Sequence, residues 1–238
     1  LETQTQSKTL LYSQDRFIFS QAKFPAIVGT WGCGKSLAGI LAANKECEEN
    51  PKNLYLVIRK EFNDLRDSTM RDWKTDIGRD WNGDKDVVYS NESVLMFRHG
   101  EDLDSLKNIN LGGALMVQAE EMRESDFWFL VGRLRRRNGT LRLRIEANYD
   151  GHNWIWKIWK KRDIVIPEEL KGIISVDDFQ LIETNTLENK ANLPPAYIAS
   201  LMLLPDELRK RHFYGSWEIS EGQIYAEWNE QYHVIEPF

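Results

Sequence analysis

Two patterns of apolar residues alternate along the chain. Apolar runs and alternating stretches of strand length, which are typical of buried or half-buried strands, lie at residues 26–28, 54–58, 87–89, 94–97, 114–117, 141–147 and 177–184. Between them, other stretches have helical spacing or propensity and predict helices at residues 37–50, 61–77, 125–136, 193–203 and 205–212. This alternation predicts an α/β fold in which a mostly parallel central sheet carries helices on both faces, with a hairpin at 87–97.

A glycine-rich segment joins the first predicted strand to the first long helix. Eight consecutive residues fill the pattern G-x-x-x-x-G-K-[ST] without a gap: Gly29, Thr30, Trp31, Gly32, Cys33, Gly34, Lys35 and Ser36. In such a loop the backbone N–H groups and the helix N-terminus hold phosphates. The lysine reaches the β- and γ-phosphates and the serine hydroxyl binds Mg²⁺. The strand before it and the helix after it favour this interpretation over a chance glycine-rich turn, with Trp31 and Cys33 as spacers.

Composition restricts the compartment and the kind of partner. The 238 residues fit one large α/β domain, and the two cysteines are too few for a disulfide framework or a zinc site, which indicates a reducing compartment. No apolar run approaches the length of a membrane span. The net charge of -6 argues against a uniformly basic nucleic-acid binder, although arginines are concentrated between residues 133 and 144.

Two polar residues near the predicted strands are candidate nucleotide contacts. Gln14 lies among aromatic residues ahead of the first strand, and its amide offers a donor and an acceptor together to an adenine edge. The alternative is a solvated surface glutamine. Arg59 follows the strand at 54–58, at the carboxyl end where α/β sheets place ligands.

An acidic pair follows the strand at 114–117 after a short interruption. Such a pair holds a metal ion and polarises the attacking water in nucleotide hydrolysis. In one interpretation Glu120 is the metal-side acid and Glu121 the catalytic base. In a second, Val117 and Gln118 occupy the standard acid positions and hydrolysis is compromised. In a third, the two glutamates only begin the next helix, where they favour its dipole.

Arginines and one asparagine complete the candidate chemistry. Arg133 and Arg135 lie at the end of the predicted helix 125–136, and a guanidinium beside a γ-phosphate, from the same or a neighbouring subunit, accelerates hydrolysis. The alternative is a solvated helix end. Asn148 ends the strand at 141–147, where it can contact the γ-phosphate or simply form a turn.

The order of these pieces resembles the N-terminal ATPase domain of bacteriophage terminase large subunits, the motors that package viral DNA. The matching segments extend from Gln14 to about Val234 and include the phosphate loop, Val57-Ile58-Arg59-Lys60, Gln118-Ala119-Glu120-Glu121, Arg133-Leu134-Arg135, Ala147-Asn148 and Phe213-Tyr214-Gly215-Ser216-Trp217. The resemblance implies a P-loop NTPase of the additional-strand catalytic-glutamate type. It also implies that Gln14 reads adenine and that Ala147-Asn148 couples hydrolysis to domain movement.

By the same resemblance the chain hydrolyses ATP with Mg²⁺ to move double-stranded DNA into a procapsid. Its partners are then the portal protein, the small terminase subunit and further copies of itself in a ring, in the cytoplasm of the infected bacterial host. Residues 1–215 are expected to form the ATPase domain and 216–238 a linker toward an absent nuclease domain, so no DNA cleavage is expected. Two alternatives stay open, a helicase-like remodelling ATPase and a nucleotide-binding regulatory module with weak hydrolysis.

Overall fold

The computed structural model describes residues 9–218. Within these residues, seven strands form one sheet: β1 Ala26–Gly29, β2 Leu54–Arg59, β3 Asp86–Val88, β4 Val94–His99, β5 Gly113–Met116, β6 Arg142–Asn148 and β7 Leu181–Thr184. Each strand lies within or beside an apolar stretch that predicted it. The predicted strand at 177–184 is shorter than expected, because a 3-10 turn at Val176–Asp178 precedes β7.

The strand order is β3-β4-β2-β5-β6-β1-β7. Every pair is parallel except β3 with β4, which forms the predicted hairpin. Strand β6 therefore lies between β1, which leads into the phosphate loop, and β5, which leads to the acidic pair. This inserted strand is the feature that defines the additional-strand type, so the predicted fold class is confirmed.

Helical segments cover both faces of the sheet. The α-helices are α1 Tyr12–Ile18, α2 Lys35–Glu49, α3 Phe62–Asp64, α4 Arg71–Ile77, α5 Glu124–Val131, α6 Pro195–Met202 and α7 Asp206–Arg209. A π-helical turn at Leu65–Met70 joins α3 to α4, so the helix predicted at 61–77 is present with one wide turn. Another follows α7 at Lys210–Tyr214.

The core has two layers because successive strand residues point to opposite faces of a sheet. One layer packs α5 and the segment 154–159, which contains three tryptophans, against Val28, Met116 and Ile145. The other packs α1, α2 and α4 against Ile27, Leu115 and other side chains of the opposite face. Burial on both faces accounts for the continuous apolar runs of the central strands.

Helix α5 ends at Val131, earlier than the predicted helix 125–136. Gly132 caps it, and the arginines that follow lie in a turn and a short bridge rather than on a helix end. The predicted linker, residues 216–238, lies almost entirely outside the described residues. Within residues 9–218, no helix combines the length and apolar character that crossing a membrane requires.

Candidate nucleotide site

The phosphate loop lies at the carboxyl end of β1 and leads directly into α2. Strand β1 ends at Gly29 and α2 begins at Lys35. Gly32 and Gly34 have φ angles of 72° and 86°, a region that side chains with a Cβ disfavour. The backbone geometry thus requires glycine at Gly34, which the motif specifies, and at Gly32, which is at one of its free positions. Helix α2 presents its N-terminus to the loop.

Side chains from outside the motif hold the carbonyl groups of the loop. Thr186 Oγ1 donates to the Trp31 carbonyl at 2.7 Å, and Asn189 Nδ2 donates to the Gly32 carbonyl at 2.7 Å. Lys35 Nζ, itself buried, lies 3.3 Å from the Thr30 carbonyl. Because a peptide N–H points opposite to its carbonyl, these contacts fix the direction of the N–H groups that a phosphate would accept from.

Gln14 lies against the phosphate loop, buried on helix α1. Its Nε2 donates to the Gly34 carbonyl at 2.9 Å, and its Oε1 accepts from the Leu11 N–H at 3.0 Å. The alternative of a solvated glutamine is therefore wrong, since only 4% of the residue is exposed. An amide has a second N–H and a second lone pair, so the adenine-reading role stays a prediction.

The ring of Trp31 covers one side of the loop. It is 40% exposed and stacks on His212, with 4.0 Å between ring centroids and an angle of 10° between the planes. Burial, together with the charges of Arg211 and Lys35, lowers the pKa of His212, which favours a neutral ring in this stack. Cys33 is buried, and that burial raises the pKa of its thiol, so it is a packing residue and not a nucleophile.

The loop serine bonds to an acid, Glu146, that is not among the candidate residues predicted from the sequence. Ser36 Oγ donates to Glu146 Oε1 at 3.0 Å. Glu146 lies on β6 opposite Ile27 of β1 and is only 1% exposed. Its second oxygen, Oε2, is buried and has no hydrogen-bond partner among the described residues.

The chain turns sharply where β5 ends. Val117 continues the strand by donating to the Ile58 carbonyl at 2.8 Å, and Gln118 then takes a left-handed conformation with φ 48°. A non-glycine residue in that region is strained, and such strain is concentrated at functional sites. Arg59 donates to Gln118 Oε1, and both line a small pocket together with Ser36 and Glu146.

Glu120 and Asn148 meet across the ends of neighbouring strands. Asn148 Nδ2 donates to Glu120 Oε1, while Glu120 Oε2 and Asn148 Oδ1 are buried without a hydrogen-bond partner in residues 9–218. Burial raises the pKa of Glu120 to about 7. Asn148 lies beside Gly29 in the sheet register, so the pair adjoins the phosphate loop. Glu121, by contrast, is exposed.

Arg133 and Arg135 lie at the opposite end of the sheet. Their backbones pair with Leu111, just before β5 begins, and their guanidinium groups donate to the Lys107 carbonyl and to Asn110 Oδ1. A strand rises about 3.3 Å per residue, so the length of β5 alone separates them from the loop by more than about 10 Å. A role for either arginine in the site of its own chain is therefore wrong; a role in a neighbouring subunit stays a prediction.

The donor set fits a nucleotide-bound cation. Three buried oxygens that have no hydrogen-bond partner among the described residues, on Glu120, Glu146 and Asn148, lie around the carboxyl ends of β5 and β6. The part of the chain that the structure describes contains no cluster of three or more His, Cys, Asp or Glu residues suited to a metal. Magnesium bound with a nucleotide needs only one or two protein ligands, because phosphates and water supply the others.

A known protein family matches most of the chain. Residues 21–205 match the family described as phage terminase large subunit. This chain belongs to the phage terminase large subunit family. Among proteins with curated functions, none matches the sequence.

Solved terminase structures share this fold. A large terminase from a thermophilic bacteriophage has a TM-score of 0.73 and 14% identity, over 96% of this chain and 58% of that one. The complex of that same terminase with ATP-gamma-S has a TM-score of 0.70 and 15% identity, over 97% and 59%. The large terminase ATPase domain of Thermus phage P74-26 has a TM-score of 0.61 and 15% identity, over 88% and 94%. At these identities the likeness concerns the fold, and this chain spans well under two thirds of the first of these proteins.

Three side chains of this terminase site were missed from the sequence. Glu146 carried a signal, because the alternation of β6 puts it on the same face as Arg142 and Arg144 and nearest the carboxyl end. Thr186 and Asn189 lie in an irregular segment after β7 and carried no pattern that could be recognised.

Proposed function

We propose that this chain binds ATP at residues 29–36 and hydrolyses it to drive double-stranded DNA into a procapsid, as the motor domain of a terminase large subunit. The observation that carries the proposal is the position of the Glu120–Asn148 pair beside the phosphate loop. Membership of the terminase family indicates that the polymer moved is double-stranded DNA. The large terminase of the thermophilic bacteriophage was crystallised with ADP and with ATP-gamma-S, which supports nucleotide binding by this chain.

The residues divide the chemistry among them. Lys35 and the loop N–H groups bind the phosphates, and Ser36 holds Mg²⁺, which supplies charge neutralisation when bound. Glu120 is the best placed base, because it bonds to Asn148 beside the phosphate loop. Its raised pKa of about 7 also suits proton acceptance near neutral pH. Asn148 bonds to Glu120, so it can sense the γ-phosphate and pass its loss to the rest of β6.

The pocket beside the loop extends the proposed site. Arg59, with 7% exposure, lines it together with Ser36 and Gln118. Its guanidinium also donates to the Asp64 carbonyl at 3.2 Å, which fixes it at the end of β2. We assign it to the nucleotide-binding set as a fixed positive charge at the carboxyl ends of the strands.

A substitution of the loop lysine tests the activity. Lys35→Ala should abolish ATP hydrolysis and weaken ATP binding measured by calorimetry with Mg²⁺. The control is Lys74→Ala, which removes an exposed lysine of α4 that pairs with Asp80 and should change neither hydrolysis nor binding. Equal binding heat in the wild type and in Lys35→Ala would contradict nucleotide binding at this loop.

The motor role needs a separate test in the phage. A phage carrying Lys35→Ala should accumulate empty procapsids, while one carrying Lys74→Ala should fill them. Filled heads with the loop lysine removed would refute the motor role even if ATP binding at the loop were established.

Assembly into a ring on the portal, with the small terminase subunit as a further partner, is part of the proposal. The cytoplasm of the infected bacterium is the proposed location.

Arg133 or Arg135 then acts on a neighbouring subunit, because neither reaches its own loop. We also propose that residues 1–215 are the ATPase domain and that 216–238 are a linker. Turnover per subunit should rise with protein concentration; a flat profile would argue against an arginine acting between subunits.

One observation favours a second function, a nucleotide-binding module with weak hydrolysis. Val117 occupies the end of the β5 extension, where an acid would complete the metal site, and it is 5% exposed. ATP binding that depends on Lys35 without measurable turnover, alone or with procapsids, would support the module instead of the motor.

A further inference from the structure

We infer that Glu146 on β6 is the carboxylate that holds the metal's water shell in this site, in place of an acid at the end of β5. The inference rests on the proposed ATP site and adds to it a residue that replaces an absent acid. It starts from the hydrogen bond that Ser36 Oγ donates to Glu146 Oε1 at 3.0 Å. The loop hydroxyl binds the metal in phosphate loops, so a carboxylate bonded to that hydroxyl lies beside the metal position.

The sheet register explains how a residue on another strand takes this position. Strands β5 and β6 are parallel, with Leu115 opposite Arg144 and Met116 opposite Ile145. Continuing this register by one residue puts Val117 opposite Glu146, on the same face of the sheet. Neighbouring strands are about 4.8 Å apart, so Glu146 lies about one strand spacing from the position of Val117.

The surroundings of Val117 and Glu146 agree with an acid on β6 and an apolar residue at the end of β5. Val117 packs among the apolar side chains beneath α2, and it lines the same small pocket as Ser36 and Glu146. A carboxylate at Val117 would face that apolar layer. The acid that this site uses therefore comes from β6, where Ser36 already bonds to it.

The burial of Glu146 calls for a cation. The residue is 1% exposed, and its Oε2 atom has no hydrogen-bond partner within residues 9–218. A buried carboxylate is costly unless a positive charge or hydrogen-bond donors compensate it. The guanidinium two positions away on the same face, Arg144, is already bonded to Glu46 at 3.0 Å. A divalent cation beside Ser36 supplies the missing charge.

This assignment gives the two glutamates of the site different tasks. Glu146 would hold the metal's water shell beside Ser36, to which it bonds. Glu120 is then free to act on the attacking water, bonded to Asn148. The acidic residue next to it, Glu121, is exposed and takes neither role.

Nucleotide binding with and without metal tests the role of Glu146. The dissociation constant of ADP is measured by calorimetry in Mg²⁺ and in EDTA for the wild type, Glu146→Gln and Glu183→Gln. The last is a matched control, since Glu183 lies on β7 opposite Val28 of β1, on the other side of the loop strand, and pairs with Lys160. Loss of a carboxylate in the metal's outer shell weakens metal affinity about 10–100-fold.

In the wild type and in Glu183→Gln, Mg²⁺ should tighten ADP binding. In Glu146→Gln this tightening should fall by about tenfold or more, while binding in EDTA is unchanged or stronger, because a negative charge near the phosphates is removed. The same tightening in Glu146→Gln as in the wild type would overturn the assignment. If the wild type binds no ADP in either buffer, the proposed ATP site itself fails, and the assignment with it.

A second variant decides the matter if Glu146→Gln does not fold. The double variant Val117→Glu/Glu146→Val exchanges the two side chains between neighbouring strands and leaves composition and charge unchanged. If it folds with Mg²⁺-dependent ADP binding, a carboxylate on either strand serves the same metal position, as inferred. If it folds and binds ADP equally in Mg²⁺ and EDTA, a carboxylate at the end of β5 does not reach the metal position, and the claim that Glu146 takes the place of such an acid is wrong.

Discussion

The buried charge cluster beneath α2 yields a quantitative prediction. Arg144 on β6 is 1% exposed and donates to the carbonyls of Phe17 and Ile18, at 2.6 and 3.2 Å, at the end of α1. It also donates to Glu46 Oε1 of α2 at 3.0 Å. One guanidinium thus ties together β6, α2 and the helix that carries Gln14. The substitution Arg144→Met keeps much of the side-chain volume and removes all of these bonds.

The magnitude follows from what is left behind. Removing one partner of a buried ion pair costs about 3–5 kcal/mol, since the other charge stays buried. The side chain of Glu46 is 5% exposed and keeps three donors, Thr140 Oγ1 at 2.8 Å, Arg142 Nη1 at 3.3 Å and Asn50 Nδ2 at 3.5 Å. We therefore expect Arg144→Met to lower the free energy of unfolding by about 3–4 kcal/mol, in the lower half of that range. Domains of this kind have about 5–15 kcal/mol in total, so the variant should still fold.

Urea denaturation followed by circular dichroism measures the change. The matched control is Arg162→Met, which breaks an exposed pair with Asp177 whose side chains are 49% and 91% exposed, and which should cost less than about 1 kcal/mol. The double variant Arg144→Met/Glu46→Met should recover part of the loss, because it also removes the stranded carboxylate.

Two results would refute this reasoning. If Arg144→Met costs no more than Arg162→Met, the cluster contributes little and α1 is held by its apolar contacts. The double variant could also prove less stable than Arg144→Met, by about as much as the removal of another buried hydrogen-bonded side chain costs. In that case the carboxylate of Glu46 was not left uncompensated in Arg144→Met.

The remaining predictions concern the nucleotide site. Glu120→Gln should keep ATP binding and reduce turnover at least about a hundredfold, the lower range for loss of a general base. Glu121→Gln should retain turnover, because that residue is exposed. Equal losses for the two variants in steady-state ATPase assays would contradict the assignment of Glu120 as the base. Asn189→Ala removes the 2.7 Å bond to the Gly32 carbonyl. A bond of this kind contributes about 0.5–1.5 kcal/mol, so ADP binding should weaken about two- to tenfold by calorimetry; unchanged affinity would mean that the loop amides are fixed without it.

The sequence by itself determined the elements and the phosphate loop. Strands buried on both faces read as apolar runs, and the loop needs glycine where φ is positive, so both leave local patterns. The same local logic located Asn148 at the end of its strand and the acids after β5. It also favoured a parallel sheet, because strands and helices alternate along the chain.

Only the tertiary structure decided which side chains meet. Ser36 and Glu146 bond although 110 positions separate them in the chain, because β6 is inserted beside β1 in the sheet. The sequence pattern predicts Arg133 and Arg135 at a helix end, but α5 stops at Val131 and the chain returns to the amino end of β5. Strand order and register are set by packing between distant segments, and a one-residue change in register moves every side chain to the other face. Local pattern therefore specifies the pieces of this site, while long-range pairing specifies which acid faces the loop.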